Sequence, residues 1–396
     1  MTSFERTLLF LRNLFLYVLL FVTAISYHPT IIRMSRAAGY ENGTILSRYI
    51  ILLFGVVTIL SLRVSTLKNS RLVRTYLLWL GIIGLAAGTV FAFFNNRIMI
   101  GDIRALVICL GAILIGYTFR VDKRKLSLLI LSFSATIVFS GLMQVLVNIG
   151  GFRIVGAYLA DSKNSLGAML AVASFSSYYL YTIWEDRIPK IAALGLAFLS
   201  FVIMVTIRAR MAVVALVLTG LFYYYLLKRG RNILITLIAV GFASLLVLLL
   251  APSSMVSYLD ESFTAGSQGE DFTSGRLGTY LDAIAVLEQN PFTGNIRRDN
   301  QIGWVHNFPL LELYQYGMLF SWPILALYLI LLFRTIKRSM AVPAREFPCF
   351  AYVCLLIPFV ISMGEPTFPF GPGTVTLFNF ILLGAASKLD EADRIP

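Results

Sequence analysis

The sequence predicts an all-α polytopic membrane protein of about twelve transmembrane helices, with both termini cytoplasmic and one large, partly helical loop on the outer face. Three observations carry this. Hydrophobic residues make up 58% of the 396-residue chain and charged residues only 13%, so most of the chain must face lipid or other helices. Apolar windows of about 17 to 22 residues, each long enough to cross a bilayer, recur with centres near Val18, Val56, Gly84, Leu110, Ile137, Ala173, Phe198, Leu216, Ala239, Ile324, Leu356 and Phe380. Lys and Arg then segregate: 21 of the 33 lie at the termini and in alternate connections, which marks that side as cytoplasmic. The net charge of +13 therefore follows the membrane and does not indicate nucleic acid.

The elements follow in chain order. Arg6 and Arg12 flank the first apolar segment and no Ala-x-Ala-like site follows it, so it reads as a retained span. The first outer connection, residues 27–48, carries Arg33, Arg36 and the sequon Asn42-Gly43-Thr44, which matters only in a glycosylating compartment. Arg97 and Asp102 mark the second outer loop, with Arg104 entering the fourth span. The third outer loop contains Arg153 and ends in Asp161-Ser162-Lys163-Asn164-Ser165 at the mouth of the sixth span. Ser162 or Asn164 can cap that helix; equally, Lys163 and Arg153 stand where an anionic group can be held. Cys109, Cys349 and Cys354 all fall in spans and read as small packing residues.

Between the seventh and eighth spans runs Thr206-Ile207-Arg208-Ala209-Arg210-Met211, a connection too short to be a solvated loop. Its arginines either snorkel to headgroups or serve a site, as intramembrane charges usually do. The functional reading is favoured, with Arg210 ahead of Arg208.

The chain divides into 1–250 (nine spans), 251–309 (the large outer loop) and 310–396 (three spans). The loop's aromatics, Tyr258, Phe263, Phe272, Tyr280, Phe292 and Trp304, read as buried, which argues for order. Within it, Leu277, Leu281, Ile284 and Leu287 recur at helical spacing. Ser274 is the expected N-cap and Pro291 the stop, for a helix lying on the membrane surface or covering the bundle. Arg276 then sits in the first turn, where a cation opposes the helix dipole, so some other demand, a bound anion or a pairing with Asp282, is expected. Arg297, Arg298 and Asp299 read as exposed. His306-Asn307 precedes Pro309, which fits the start of the tenth span. The last outer connection, residues 364–373, has three prolines, three glycines and the single acid Glu365; Glu365 either pairs with a site cation or is solvated.

Arginines at the outer boundary with a histidine above them suit a lipid-borne diphosphate. Guanidinium binds phosphate oxygens in a fork and keeps its charge. Neutral imidazole accepts a proton from an attacking hydroxyl, and the arginines stabilise charge on the departing diphosphate. No cofactor is expected, and no metal: the first outer loop holds only Glu41 where metal-dependent lipid-linked sugar transferases carry paired acids.

Three stretches, Thr206 to Ala212, Ser274-Gly275-Arg276 with Asn290-Pro291-Phe292-Thr293-Gly294, and His306-Asn307 through Leu311-Glu312-Leu313-Tyr314-Gln315-Tyr316-Gly317, resemble the O-antigen ligase and polysaccharide polymerase superfamily. The resemblance covers mainly residues 163–317. It implies a bacterial inner-membrane glycosyltransferase, metal-independent and inverting if the attack is a single displacement, with its site facing the periplasm. It assigns Arg210 and Arg276 to the diphosphate and His306 to the base, with Arg208, Asn307, Lys163, Asn164 and Arg153 as candidate substrate-binding residues. Ala209, Met211 and Tyr280 depart from the family's frequent serine, glycine and tryptophan. Implied partners are an undecaprenyl-diphosphate-linked glycan donor, a glycan or lipid A core acceptor, the bilayer and other polysaccharide-assembly proteins. Polymerase is slightly favoured over ligase, because few extra cations are available for a heavily phosphorylated acceptor. The alternative is a transporter or flippase of lipid-linked oligosaccharide; the absence of a half-to-half repeat speaks for the enzyme.

Overall fold

The computed structural model describes residues 3–39, 46–64, 70–96, 98–119, 123–149, 163–228, 276–297, 302–303, 305–371 and 374–392. Among them the chain is helical: α1 (Ser3–Ile25), α2 (Pro29–Ala37), α3 (Ser47–Val64), α4 (Arg71–Phe94), α5 (Ile98–Thr118), α6 (Lys123–Val147), α7 (Lys163–Ile183), α8 (Arg187–Thr206), α9 (Arg210–Lys228), α10 (Arg276–Gln289), α11 (Phe308–Ala341), α12 (Phe347–Ile361) and α13 (Thr374–Ala392). Eight are long and apolar enough to cross a membrane, and three shorter apolar helices occupy Tyr49–Leu62, Phe347–Ile361 and Val375–Leu389. The protein is a polytopic membrane protein. The span expected near Ala239, Arg153, Ser162, Ser274 and loop residues 251–275 lie outside the described residues.

Helix α7 is the hub. Its apolar window is 78% buried, more than that of the other seven long apolar helices among the described residues, because small residues such as Ala171, Ala173, Ser174, Ser176 and Ser177 let neighbours approach. The tightest pairing joins α5 to α13: a Cβ on Gly116 would lie 1.8 Å from the Ile381 carbonyl, and one on Gly384 2.1 Å from that of Ile113. Small residues at such a crossing substitute for the hydrophobic drive that lipid removes. The three cysteines are buried and free, as packing residues should be. At the far end of α5, fully buried Arg12 donates to the Thr118 carbonyl at 2.6 Å and lies over the Phe119 ring, a favourable place for a cation at a helix C-terminus.

α11 is not one straight helix. At Gly317 the backbone takes φ 62°, ψ −179°, a region that only glycine occupies at low cost. The interruption frees backbone groups, and the turn after α10 pairs with them: the amides of Met318 and Leu319 donate to the carbonyls of Pro291 and Phe292, and the Asn295 amide to that of Tyr314. Asn96 at the end of α4 holds the Ile296 carbonyl, and Tyr316 donates to Asp102 on α5. The Asn-Pro-Phe-Thr-Gly turn is thus a plug for a broken helix.

α10 exists and ends before Pro291, as expected, and the face it packs on α11 carries Tyr280, Ala283 and Val286, against Val305, Leu310, Leu311 and Tyr314. Leu277, Leu281 and Ile284 instead stay exposed. Phe292, expected to be buried, is 67% exposed: its backbone serves the plug, so its side chain points away.

Candidate functional site

Five elements meet at one end of the bundle. The turn at 362–365 closes α12, and its carbonyls and Glu365 collect the others. The Phe308 amide, at the start of α11, donates to the Ser362 carbonyl at 2.9 Å. Asn307 caps α11 through Oδ1, which accepts from the Leu310 amide, and its Nδ2 donates to the Met363 carbonyl. Pro309, in the first turn, costs no hydrogen bond there. Together these fix His306 immediately above the helix mouth. Its carbonyl accepts from the Tyr280 hydroxyl at 2.6 Å, so α10 clasps the same strand of chain.

Glu365 is the centre of the cluster. Its Oε1 accepts from Arg276 Nη2 at 3.1 Å and from Asn164 Nδ2 at 2.7 Å, and its Oε2 lies 3.8 Å from His306 Nδ1. Arg276 Nη1 also donates to the Gly364 carbonyl at 2.9 Å. The side chains of Arg276, His306 and Glu365 are 27%, 31% and 11% exposed, a partly buried cluster in which charge interactions outweigh those of a fully solvated surface. This answers the question raised by Arg276 in the first turn of α10: Glu365, not Asp282, offsets the unfavourable dipole, and Asp282 is exposed.

His306 Nδ1 is buried without a hydrogen-bond partner. Burial, followed by the Arg276 charge, pulls the imidazole below its ordinary range, with Glu365 opposing both. The ring therefore stays neutral near pH 7 and can accept a proton, as a general base requires. The Tyr280 hydroxyl is raised, chiefly by burial, and serves as a donor.

The structure brings Asn164, Arg276, His306 and Asn307 together, and places the two arginines of the α8–α9 connection differently. Arg208 is buried at 7% exposure with φ 60°, and Arg210 opens α9, half-buried. That connection belongs to the same end of the bundle: Ala209 packs on Gly167 of α7, Met211 on Gly364, and Ala209, Met211 and Ala212 line a small cavity with Asn164, Ile361 and Glu365. Lys163 is half-buried at the start of α7, beside Asn164. Of the two readings of Glu365, pairing with a site cation or solvation, the structure shows the first, with Arg276 as its partner; Tyr280 had no role in the sequence reading. Nothing in the sequence marks Tyr280 as the holder of the His306 backbone. Comparison with known proteins finds no family model matching the chain and no curated relative, so a functional reading rests on these residues and their geometry.

Proposed function

We propose that the chain is a membrane glycosyltransferase that moves a glycan from undecaprenyl diphosphate to a sugar hydroxyl, as a polysaccharide repeat-unit polymerase or an O-antigen ligase, with polymerase slightly favoured. The observation that carries this reading is the convergence of Arg276, Asn164 and a neutral His306 on Glu365 at one end of the bundle. On this reading α3, α12, α13 and the stretch around Ala239 join the eight long helices as spans, giving twelve, with the site facing the periplasm of a bacterial inner membrane.

In the proposed reaction His306 takes the proton of the acceptor hydroxyl as its oxygen bonds to the anomeric carbon of the donor. The bond from that carbon to the diphosphate oxygen breaks, and undecaprenyl diphosphate leaves with the electron pair. Arg276 stabilises the charge gathering there, with Arg210 and Arg208 at the neighbouring helix end. The proton passes from His306 to water. Glu365 keeps Arg276 aimed and balances its charge until a diphosphate competes for it. A single displacement of this kind inverts the anomeric centre.

The test is reconstitution of the purified chain in liposomes with lipid-linked repeat units. Chains longer than one unit identify a polymerase, and glycan on lipid A core a ligase. Retained transport with neither product overturns the proposal in favour of a flippase.

A further inference from the structure

α10 presents three surfaces at once. Tyr280, Ala283 and Val286 face α11. Gly278, Asp282 and Gln289 form an exposed polar arc. Between the two, Leu277, Leu281 and Ile284 recur at i, i+4 and i+7 and are 51%, 58% and 42% exposed. Such a stripe is costly in water and forms a continuous face at helical spacing.

In the turn that follows the helix Phe292 is also 67% exposed, and the amides of Met318 and Leu319 donate to the carbonyls of Pro291 and Phe292, which ties this turn to α11. From there Met318, Trp322, Leu329, Phe333 and Met340, all between 47% and 64% exposed, run down α11 four or seven residues apart. On a helix long and apolar enough to cross a membrane, an exposed apolar face is one that lipid would cover. The turn after α10 is bonded to the start of that face.

We propose that α10 lies in the outer leaflet of the bilayer, with Leu277, Leu281, Ile284 and Phe292 among the acyl chains and the Asp282 arc in water. Interfacial helices divide apolar from polar faces in this way. Glu288, exposed one turn after Ile284, is the one polar interruption of the stripe; its carboxylate reaches up to the headgroups on a flexible side chain. The consequence concerns Arg276, which directly precedes Leu277: it is held at the depth of lipid phosphates. A phosphate-bearing lipid reaches it from the side, its hydrocarbon never leaving the membrane. This consequence rests on the function proposed above; the immersion itself does not.

The experiment places a nitroxide on single cysteines, Leu277→Cys, Leu281→Cys, Ile284→Cys, Asp282→Cys, Glu288→Cys and Gln289→Cys, in the full chain reconstituted in phosphatidylethanolamine–phosphatidylglycerol vesicles. Collision with oxygen is compared with collision with a water-soluble nickel chelate. The native cysteines are buried, and alanine replaces them if the parent protein takes up label. The expected result is several-fold oxygen preference at 277, 281 and 284, the reverse at 282 and 289, and an intermediate value at 288. Preference for the nickel reagent along the stripe overturns the proposal, as does protection from both reagents, which means that residues 229–275 or a second copy covers it. Adding His306→Ala separates the two readings: it removes product on the proposed function and leaves this pattern unchanged. The pattern without any product from the parent chain sinks the enzyme and leaves the immersed helix standing.

Discussion

Arg12 and Arg276 are both guanidinium groups tied to backbone at a helix end, and they differ in what is left over. Arg12 is fully buried, with Nη1 on the Thr118 carbonyl, Nε and Nη2 on Asn13, and the Phe119 ring beneath it. It completes the C-terminal end of α5, where a cation is welcome. Arg276 stands at a helix start, where a cation is unwelcome, and its side chain remains 27% exposed beside a neutral imidazole and an amide. The count of partners does not separate a structural arginine from one proposed to bind substrate. On the proposed function, direction of the helix dipole, openness and the chemistry of the neighbours do.

The sharpest way to break this comparison is at the base. His306→Ala is expected to lower glycan transfer by about 10² to 10⁴-fold with the fold unchanged by circular dichroism and gel filtration; full activity removes His306 from the reaction. Arg276→Ala should follow with about 10² to 10³-fold, measured as product per folded protein. Arg12→Met should do the opposite: about 1 to 3 kcal/mol of stability lost, read by thermal unfolding in detergent, because the Thr118 carbonyl is left buried without its donor. The protein that remains folded keeps its normal rate. A variant of Arg12 that loses rate and not stability would erase the distinction.

Much of this was legible in the sequence, and the limits are physical. Spans are local: lipid demands long apolar runs, so hydropathy finds them one by one. α10 is local too, through its period and Pro291. The Arg276–Glu365 pair is not, since it joins residues 89 apart and depends on how α12 ends beside α11. The period of α10 left two placements open, on the membrane surface or over the bundle, because lipid and a protein core satisfy the same apolar pattern. The break at Gly317 was invisible for a related reason. Residues on either side are apolar, so the hydropathy of α11 runs on through a point where its hydrogen bonds do not.

That break supplies the next prediction. A Cβ at Gly317 would stand 2.3 Å from the Phe292 carbonyl group, and the ε-like backbone there costs any other residue about 1 to 3 kcal/mol. Gly317→Ala should lower the unfolding midpoint and also weaken transfer, because the plug that it displaces continues into α10 and Arg276. If stability falls while the rate per folded molecule is unchanged, the plug is a structural patch with no link to the cluster around Glu365.

The smallest effect is the most diagnostic, since it reads the sign of a charge. In the proposed reaction His306 acts as a neutral ring, so the rate is expected to fall as pH drops through its pKa, which burial and Arg276 hold below the ordinary 6.5. Glu365 pulls the other way. Glu365→Gln removes that opposing charge, so the acid limb of the pH–rate profile should move to lower pH. Near pH 7 the ring is neutral in both proteins, and the variant should lose about tenfold or less there, from Arg276 losing its anchor. Arg276→Gln removes a depressing charge, and its residual activity should show the limb displaced upward. Opposite shifts from two substitutions on one ion pair are hard to obtain by misfolding, which moves neither limb in a set direction. A Glu365→Gln profile displaced upward would mean that the titrating base is not the imidazole lying 3.8 Å from that carboxylate.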